Sequence, residues 1–184
     1  MGQLICRLVA NASEKEQAMF IRRLVFVEEQ GLFPESDQDQ YDQEAIHLVA
    51  EINGQIVGTV RLYEQGEGVW VGGRLAVLPQ YRGRVGSLLV RRAVLEAKKQ
   101  GAKVFLAQVQ TQNERFFHRL GWRTVGERKV IFGREHVLME APLKEIKQGK
   151  RADNVTSENA ETGGSISLCL IEQENEQEER KNAQ

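Results

Sequence analysis

Residues 69–100 most constrain the fold, because they predict a strand joined to a helix by a short, glycine-containing loop. The strand is an apolar, β-favouring run over residues 69–78. Pro79 lacks the amide hydrogen that a central strand needs, so the strand ends there. Gly101 is a typical residue just beyond a helix end. The helix between them carries a stripe of apolar residues spaced four apart, which predicts one buried face: Val85, Leu89, Ala93 and Ala97.

The loop over residues 80–86 has the chemistry of an anion site. The first turn of a helix has unpaired amides and the positive end of the helix dipole. Gly83 and Gly86 allow a bulky anion to come close, and Arg82 and Arg84 suit phosphate oxygens. The loop therefore predicts a phosphate or pyrophosphate site. The alternative is a plain strand–helix connection with arginines facing solvent. The loop matches neither a P-loop nor a GxGxxG dinucleotide motif.

Composition and charge narrow the class of protein. The 184 residues are enough for one domain with a core, and a net charge of −1 gives no general attraction to nucleic acid or to an anionic membrane. Cys6 and Cys169 form no CxxC pair, and the three histidines have no metal-ligand spacing, so we expect no metal. There is no signal peptide or apolar run of membrane-spanning length. We expect a cytoplasmic protein.

The order of elements predicts an α/β fold, a mixed sheet with helices on both faces, in the order β-α-βββ-α-β-α-β-β. A capping box at residues 13–16 starts the first helix, and Asn53–Gly54 is a hairpin turn. Gly72–Gly73 predicts a bulge or a close backbone approach. The predicted strands and helices cover residues 4–10, 13–29, 46–52, 55–64, 69–78, 85–100, 104–109, 113–120, 122–128 and 135–143.

The composition changes near residue 143. Residues 1–143 are predicted to form the domain, and residues 144–184 a polar and largely disordered tail. Within that tail, residues 165–171 are apolar. They are either a docking strand or partner-binding motif, or an incidental apolar patch.

The run LAVLPQYRGRVGSLLV resembles the acetyl-CoA-binding loop of the GNAT N-acyltransferases, usually Gln/Arg-x-x-Gly-x-Gly/Ala. Gln80, Arg82, Gly83 and Gly86 match in kind, although two residues separate the glycines where the family commonly has three. The resemblance covers about residues 5–143 and implies the GNAT fold. The combined motifs also resemble small acetyltransferases found with nitrilase-type biosynthetic clusters.

The resemblance implies where acetyl-CoA binds. In this family the strand separates from its neighbour, the pantetheine arm pairs with the strand backbone, and the diphosphate lies on the loop amides. The Val77 amide would polarise the thioester carbonyl as an oxyanion hole does. The implied residues for the acyl donor are Leu75, Ala76, Val77, Arg82, Gly83, Arg84, Val85, Gly86, Ser87, Asn113 and Phe117.

Residues 110–122 resemble a second GNAT stretch, in which Asn113 matches an asparagine near the pantetheine. Phe117 holds the position of the tyrosine that often protonates the departing thiolate. A phenyl ring cannot donate a proton, so another group or water must serve, or the role is lost. His118 is adjacent, but on a helix it points about 100° away.

Residues 22–30, with the acidic residues 37–42, resemble the part of GNAT proteins and acyl-homoserine-lactone synthases that walls the acceptor pocket. Because an amine is mostly ammonium near pH 7, a base must remove its proton before attack. Glu29, Asp39 or Asp42 is the candidate base or orienting group. The alternative is a solvated acidic loop.

Four residues are predicted to contact the acceptor: Phe26, Asp39, Arg61 and Arg74. The two arginines fall on adjacent strands. Together they would either clamp an acceptor carboxylate or neutralise the acidic segment.

The resemblance implies an N-acyltransferase that moves an acetyl or other short acyl group from acyl-CoA to a primary amine of a small molecule. Attack would be direct, with Glu29, Asp42 and the Val77 amide as the catalytic groups and no metal. One alternative is an acyl-homoserine-lactone-type synthase using acyl carrier protein and S-adenosylmethionine, and another is a non-catalytic CoA-binding module. No nucleic acid or membrane partner is expected, and a homodimer is left open.

Overall fold

The computed structural model describes residues 2–144 and the backbone of one further short strand, Leu168–Cys169. The strands are β1 Leu4–Leu8, β2 Ile46–Ile52, β3 Gln55–Gly66, β4 Val69–Val77, β5 Val104–Gln110, β6 Arg123–Ile131, β7 Arg134–Glu140 and β8 Leu168–Cys169. The helices are α1 Ala12–Arg22, α2 Arg84–Lys99 and α3 Glu114–Arg119, with a π-helical segment Arg23–Glu29 continuing α1. Short 3-10 turns cover Gln40–Asp42, Pro79–Tyr81 and Thr111–Asn113.

The sheet order is β1-β2-β3-β4-β5-β7-β6, and β8 pairs with β5. Neighbouring strands run antiparallel except β4 and β5, which are parallel. The predicted mixed α/β fold and its order of elements are confirmed. The predicted disordered tail lies outside the described residues, except for Lys144 and the backbone of β8.

Helices pack on both faces of the sheet. On α2 the four residues of the predicted stripe are all buried in one core cluster, together with Leu48 and Ala50 of β2. Val49 of the same strand belongs instead to a second cluster, with Ala18 and Ile21 of α1. Successive strand residues point to opposite faces, so α1 and α2 cover opposite sides of the sheet.

The start of α1 differs from the prediction. Asn11, rather than Ser13, caps the helix: its side-chain oxygen accepts a hydrogen bond from the Glu14 amide at 3.0 Å. The Glu14 carboxylate accepts from the Ala10 amide at 2.8 Å, which completes a reciprocal cap two residues before the predicted one. The helical run ends before Gly31, which has a φ of 60°.

β4 contains both of the features predicted for Gly72–Gly73, a bulge and a close backbone approach, and they fall on different residues. The β3–β4 register shifts where Arg61 faces Gly73, and the residue with positive φ is Arg74, at 54°. Gly72 is needed for a close approach, because a Cβ there would lie 2.8 Å from the ring of Phe105. Among the described residues, no helix is both long and apolar enough to cross a bilayer.

Candidate functional site

A wedge-shaped gap separates the C-terminal halves of the two central parallel strands. β4 pairs with β5 only from Val69–Val104 to Val71–Leu106. Beyond that point β4 stays paired with β3, and β5 stays paired with β7 as far as Gln110. The facing edges of residues 72–77 and 107–110 are therefore not hydrogen-bonded to each other, as the sequence resemblance implied.

The amide of Val77 faces this gap. The next amide, that of Leu78, donates to the Val57 carbonyl of β3 at 3.0 Å. Because successive amides point to opposite edges of a strand, the Val77 amide points away from β3. Val77 is fully buried, so a group bound against its amide would interact in a medium of low dielectric constant.

The N-terminus of α2 lies just past the end of β4. Gly83 caps it with φ 86° and ψ −87°, and a Cβ on Gly83 would have no atom within 4 Å. The first regular helical bond joins the Ser87 amide to the Gly83 carbonyl at 3.0 Å. The Ser87 hydroxyl donates to the Arg84 carbonyl at 2.9 Å. The amide and the hydroxyl of Ser87 therefore both bond within the helix. This leaves the amides of residues 83–86 for the predicted anion site.

Arg82 links this loop to the π-helical segment. Its Nε donates to the Val77 carbonyl at 3.3 Å, and its Nη2 pairs with the Glu29 carboxylate. The Glu29 side chain is about one-third exposed, at 34%. Glu29 is therefore the predicted carboxylate that the fold places beside the end of β4 and the Val77 amide.

The other predicted acidic residues belong to a buried ionic cluster. Arg22 bonds to Asp37 at 2.7 Å and to Asp42 at 2.6 Å. The cluster holds three arginines and three aspartates: Arg22, Arg61, Arg74, Asp37, Asp39 and Asp42. Paired charges of equal number satisfy one another, which is how charged groups are tolerated in a protein interior.

Within this cluster, Arg61 and Arg74 both bind Asp39, at 2.6 and 3.1 Å. Of the two roles left open for these arginines, neutralisation of the acidic segment is the one their contacts support. Both guanidinium groups are buried and form ion pairs within the cluster. The contact of Arg61, Arg74 and Asp39 with the acceptor stays a prediction.

Asp42 is also unsuited to its predicted role as a base. Burial alone would raise its pKa, but the hydrogen bonds and charges of Arg22 and Arg61 hold that pKa well below its usual range. A carboxylate so stabilised in its ionised form does not accept a proton near neutral pH. Phe26 is fully buried beside Ile21 and Val49, and its predicted contact with the acceptor stays a prediction.

Sequence reasoning missed a polar cleft at the C-terminal end of β5. The cleft has a volume of about 220 Å³ and is lined by Gln110, Thr111, Gln112, Arg134 and Glu135. Gln30, at the end of the π-helical segment, accepts from Gln110 at 3.3 Å through its side chain and from Arg134 at 3.3 Å through its carbonyl. These residues come from three distant segments. Their sequence signals were the motif that ends in Gln30 and the GNAT-like stretch over residues 110–122, and nothing in either placed them at one cleft.

Two buried polar groups near the gap have no hydrogen-bond partner within the part of the chain that the structure describes. They are the side-chain nitrogen of Asn113 and the side-chain oxygen of Gln108, a donor and an acceptor. Such groups fit a ligand that itself carries amide groups, as pantetheine does.

Phe117 is fully buried, with its ring centroid 5.3 Å from those of Phe116 and Trp122. Its predicted contact with the acyl donor stays a prediction. His118 faces elsewhere, since its ring nitrogens lie against the Trp122 carbonyl and the Thr124 hydroxyl.

The buried histidines, His47 and His136, are also poor bases, because burial lowers the pKa of each. Over residues 2–144, no group of three or more His, Cys, Asp or Glu side chains is placed to hold a metal ion.

Comparisons with known proteins agree with this geometry. The "Putative acetyltransferase" of Bacillus subtilis (strain 168) is 34% identical over 136 residues, which are 71% of this chain and 91% of that protein. An acyl-CoA N-acyltransferase structure from Pseudomonas aeruginosa has a TM-score of 0.65 and 25% identity, covering 76% of this chain and 99% of the other. The AHL synthase LasI shares the fold at a TM-score of 0.65 and 16% identity, covering 78% and 92%. The acetyltransferase (GNAT) family model matches residues 14–122. The chain belongs to the GNAT acetyltransferase family.

Proposed function

We propose that this protein is an N-acyltransferase that moves an acetyl or other short acyl group from acyl-CoA to a primary amine of a small molecule. The observation that carries the proposal is the Val77 amide, which faces a gap in the sheet beside the N-terminus of α2. An amide fixed in that position stabilises negative charge on a thioester oxygen.

The donor would lie along the gap. Its diphosphate would contact the amides of residues 83–86, where the helix dipole favours an anion. Its pantetheine arm would run along the free edge of β4, with the unpartnered side-chain nitrogen of Asn113 as a donor for an amide carbonyl. The thioester would then reach the Val77 amide.

The acceptor would enter from the polar cleft lined by Gln110 and Arg134. The cleft is smaller than the range of about 300–1,000 Å³ typical of drug-sized ligands. A small amine is therefore the acceptor class that its size favours. The Gln30 contacts to Gln110 and Arg134 connect the cleft to Glu29, the preceding residue in the chain.

In the proposed reaction, Glu29 removes a proton from the ammonium form of the acceptor, directly or through water. The free amine attacks the thioester carbonyl, and the Val77 amide donates to the oxygen that becomes negative. The intermediate collapses by breaking the carbon–sulfur bond. CoA leaves as a thiolate, and the attacking nitrogen loses its second proton to water as the amide forms. Water supplies the proton that the thiolate takes up, since Phe117 has none to donate. Glu29 returns its own proton to solvent.

Isothermal titration with acetyl-CoA tests the donor site, using two variants at opposite ends of α2. Gly83 and Gly101 have similar φ values of 86° and 84°, and a Cβ added to either would have no atom within 4 Å. Gly83→Glu and Gly101→Glu therefore add the same charge at two glycines of similar positive φ. We expect Gly83→Glu to weaken binding more than about tenfold, the equivalent of about 1.4 kcal/mol. Gly101→Glu should bind like the wild type; equal losses would contradict the proposed site.

Release of CoA in the presence of a panel of primary amines tests catalysis. Acceptor-dependent release from acetyl-CoA supports the proposal, and binding without release from any amine favours a non-catalytic CoA-binding module. Replacing acyl-CoA by an acyl carrier protein tests the synthase alternative, which the LasI likeness supports at the level of fold alone. The cytoplasmic location remains a prediction from the sequence, and the homodimer is left open.

A further inference from the structure

We propose that the gap between β4 and β5 is also a peptide-binding groove for the chain's own C-terminal segment around Leu168–Cys169. This segment and the pantetheine arm of acyl-CoA would exclude one another. The inference rests on the proposed function for the identity of the displaced ligand. The presence of the strand in the gap stands independently of that function.

The position of β8 follows from the pairing of β5. β7 occupies one edge of β5 from Leu106 to Gln110. β8 pairs antiparallel with the same strand, Cys169 opposite Gln108 and Leu168 opposite Val109. Because a strand has two edges, β8 must lie on the edge that faces β4. It begins just past Leu106, where the β4–β5 pairing stops.

The C-terminal segment and the pantetheine arm offer the same chemistry to the strand edges that line the gap. An extended peptide presents alternating amide donors and carbonyl acceptors, and it binds a free strand edge by adding a strand to the sheet. Pantetheine is an extended arm with two amide groups, which present the same kinds of donor and acceptor. Because β8 lies between β5 and β4, the arm cannot run along the β4 edge of the gap while β8 occupies it.

The sequence of the segment supports its role as the groove's occupant. Residues 165–171 are Ser-Ile-Ser-Leu-Cys-Leu-Ile, set in a stretch otherwise rich in Glu, Gln and Asn. Apolar and β-branched residues favour strands. Residues 145–167 connect Lys144 to β8, and a chain of that length spans up to about 75 Å when extended. The segment can therefore reach the gap of its own molecule.

The consequence is a built-in competition for the donor site. If only a fraction of molecules has an open gap, the apparent affinity for acyl-CoA falls by that fraction. Occupancy of the gap by β8 in about nine molecules of ten would raise the apparent dissociation constant about tenfold.

The test uses the full-length chain with both β8 residues replaced, Leu168→Pro and Cys169→Pro together. Proline removes the amide hydrogen that a paired strand donates. The matched control is Thr156→Pro with Ser157→Pro, two prolines in the same region outside β8. Binding of coenzyme A is measured by calorimetry, and amide hydrogen exchange is measured over β5 and over residues 165–171.

We expect the β8 double variant to bind coenzyme A about five- to tenfold more tightly than the wild type, with the control unchanged. Without ligand, the amide of Gln108, which faces β8, should exchange faster in the β8 variant. In the wild type, saturating coenzyme A should speed exchange at residues 168–169.

Unchanged exchange at the Gln108 amide in the β8 variant would overturn the inference, whatever the protein does with coenzyme A. Equal affinity of wild type and β8 variant would overturn the competition and leave the proposed function standing. Failure of the wild type and of every variant to bind coenzyme A would overturn both the competition and the proposed function.

Discussion

At the scale of single residues, Arg22 and Arg23 are adjacent in sequence and opposite in environment. Arg22 is buried and paired with Asp37 and Asp42, whereas the Arg23 side chain is 64% exposed. Removing one partner of a buried ion pair leaves uncompensated charge, so Arg22→Met should lower the free energy of unfolding by about 3–5 kcal/mol. Arg23→Met should change it by less than about 0.5 kcal/mol. Urea denaturation compares them, and equal effects would contradict the buried cluster.

Asp42 makes the stability depend on pH. Its pKa in the folded protein lies below the value of about 3.9 expected in the unfolded chain. The stabilisation is therefore complete above that value and is lost as the pH falls toward the folded-state pKa. Thermal unfolding at several pH values should show the wild type losing stability with acid more steeply than Asp42→Asn. Glu14 also titrates in this acid range, since its hydrogen bonds to Arg7 lower its pKa to about 2. Because Glu14 is present in both proteins, its contribution cancels in the comparison. Parallel curves would contradict the prediction.

The Val77 amide can be removed without breaking the β3–β4 ladder, because it points away from β3. Val77→Pro should lower kcat by about 100- to 1,000-fold, as loss of an oxyanion donor does. Val77→Ala keeps the amide and is the control for the lost side chain. Steady-state kinetics with acetyl-CoA measure both, after circular dichroism has shown that each variant is folded. A kcat for Val77→Pro close to that of Val77→Ala would exclude the amide from catalysis.

At the scale of elements, Gly72 and Gly73 in β4 form a natural pair for comparison. A Cβ on Gly72 would lie 2.8 Å from the buried ring of Phe105, whereas a Cβ on Gly73 has open space. Gly72→Ala should destabilise the protein by about 1–3 kcal/mol, the usual effect of overpacking a core. Gly73→Ala should destabilise the protein by less than Gly72→Ala. Chemical denaturation measures the free energy of unfolding of both variants. A larger loss of stability for Gly73→Ala would be inconsistent with this packing.

The π-helical segment is the element that connects the two halves of the candidate site. It ends in Glu29, which Arg82 holds beside the end of β4, and is followed by Gln30, which contacts Gln110 of β5. π-helical turns inside α-helices occur frequently at functional sites. Here the segment connects Glu29, the candidate base, to the cleft that we propose for the acceptor.

At the scale of the whole molecule, the protection of backbone amides from hydrogen exchange should decrease from the centre of the sheet to the β6 edge. β3 and β4 are buried along most of their length, whereas β6 is largely exposed and Val130 is 74% exposed. Amide hydrogen exchange should therefore be slow in β3 and β4 and faster in β6. Protection of β6 equal to that of β3 would indicate that this surface is covered in solution, as it would be in a homodimer.

Local patterns were enough to predict most of the elements. Pro79 ends β4 within two residues, and Asn53–Gly54 forms the hairpin turn with φ values of 52° and 79°. The α2 stripe was readable because its spacing is set by the helix itself. The cap of α1 was misplaced because Asn11 and Ser13 both have capping side chains, and only their backbone geometry distinguishes them.

From the sequence, propensity and periodicity predicted the strand–loop–helix that presents the α2 amides, because its residues are close together in the chain. The family fold and the separation of β4 from β5 were implied by the resemblance of its motifs to those of GNAT proteins. Only the tertiary structure decided which charged residues face the site. It placed Arg61, Arg74 and Asp42 in a buried cluster, and it brought Gln30, Gln110 and Arg134 to one cleft. The reason is physical: a charge acts according to its burial and its partners, and these are set by contacts between segments that are distant in sequence.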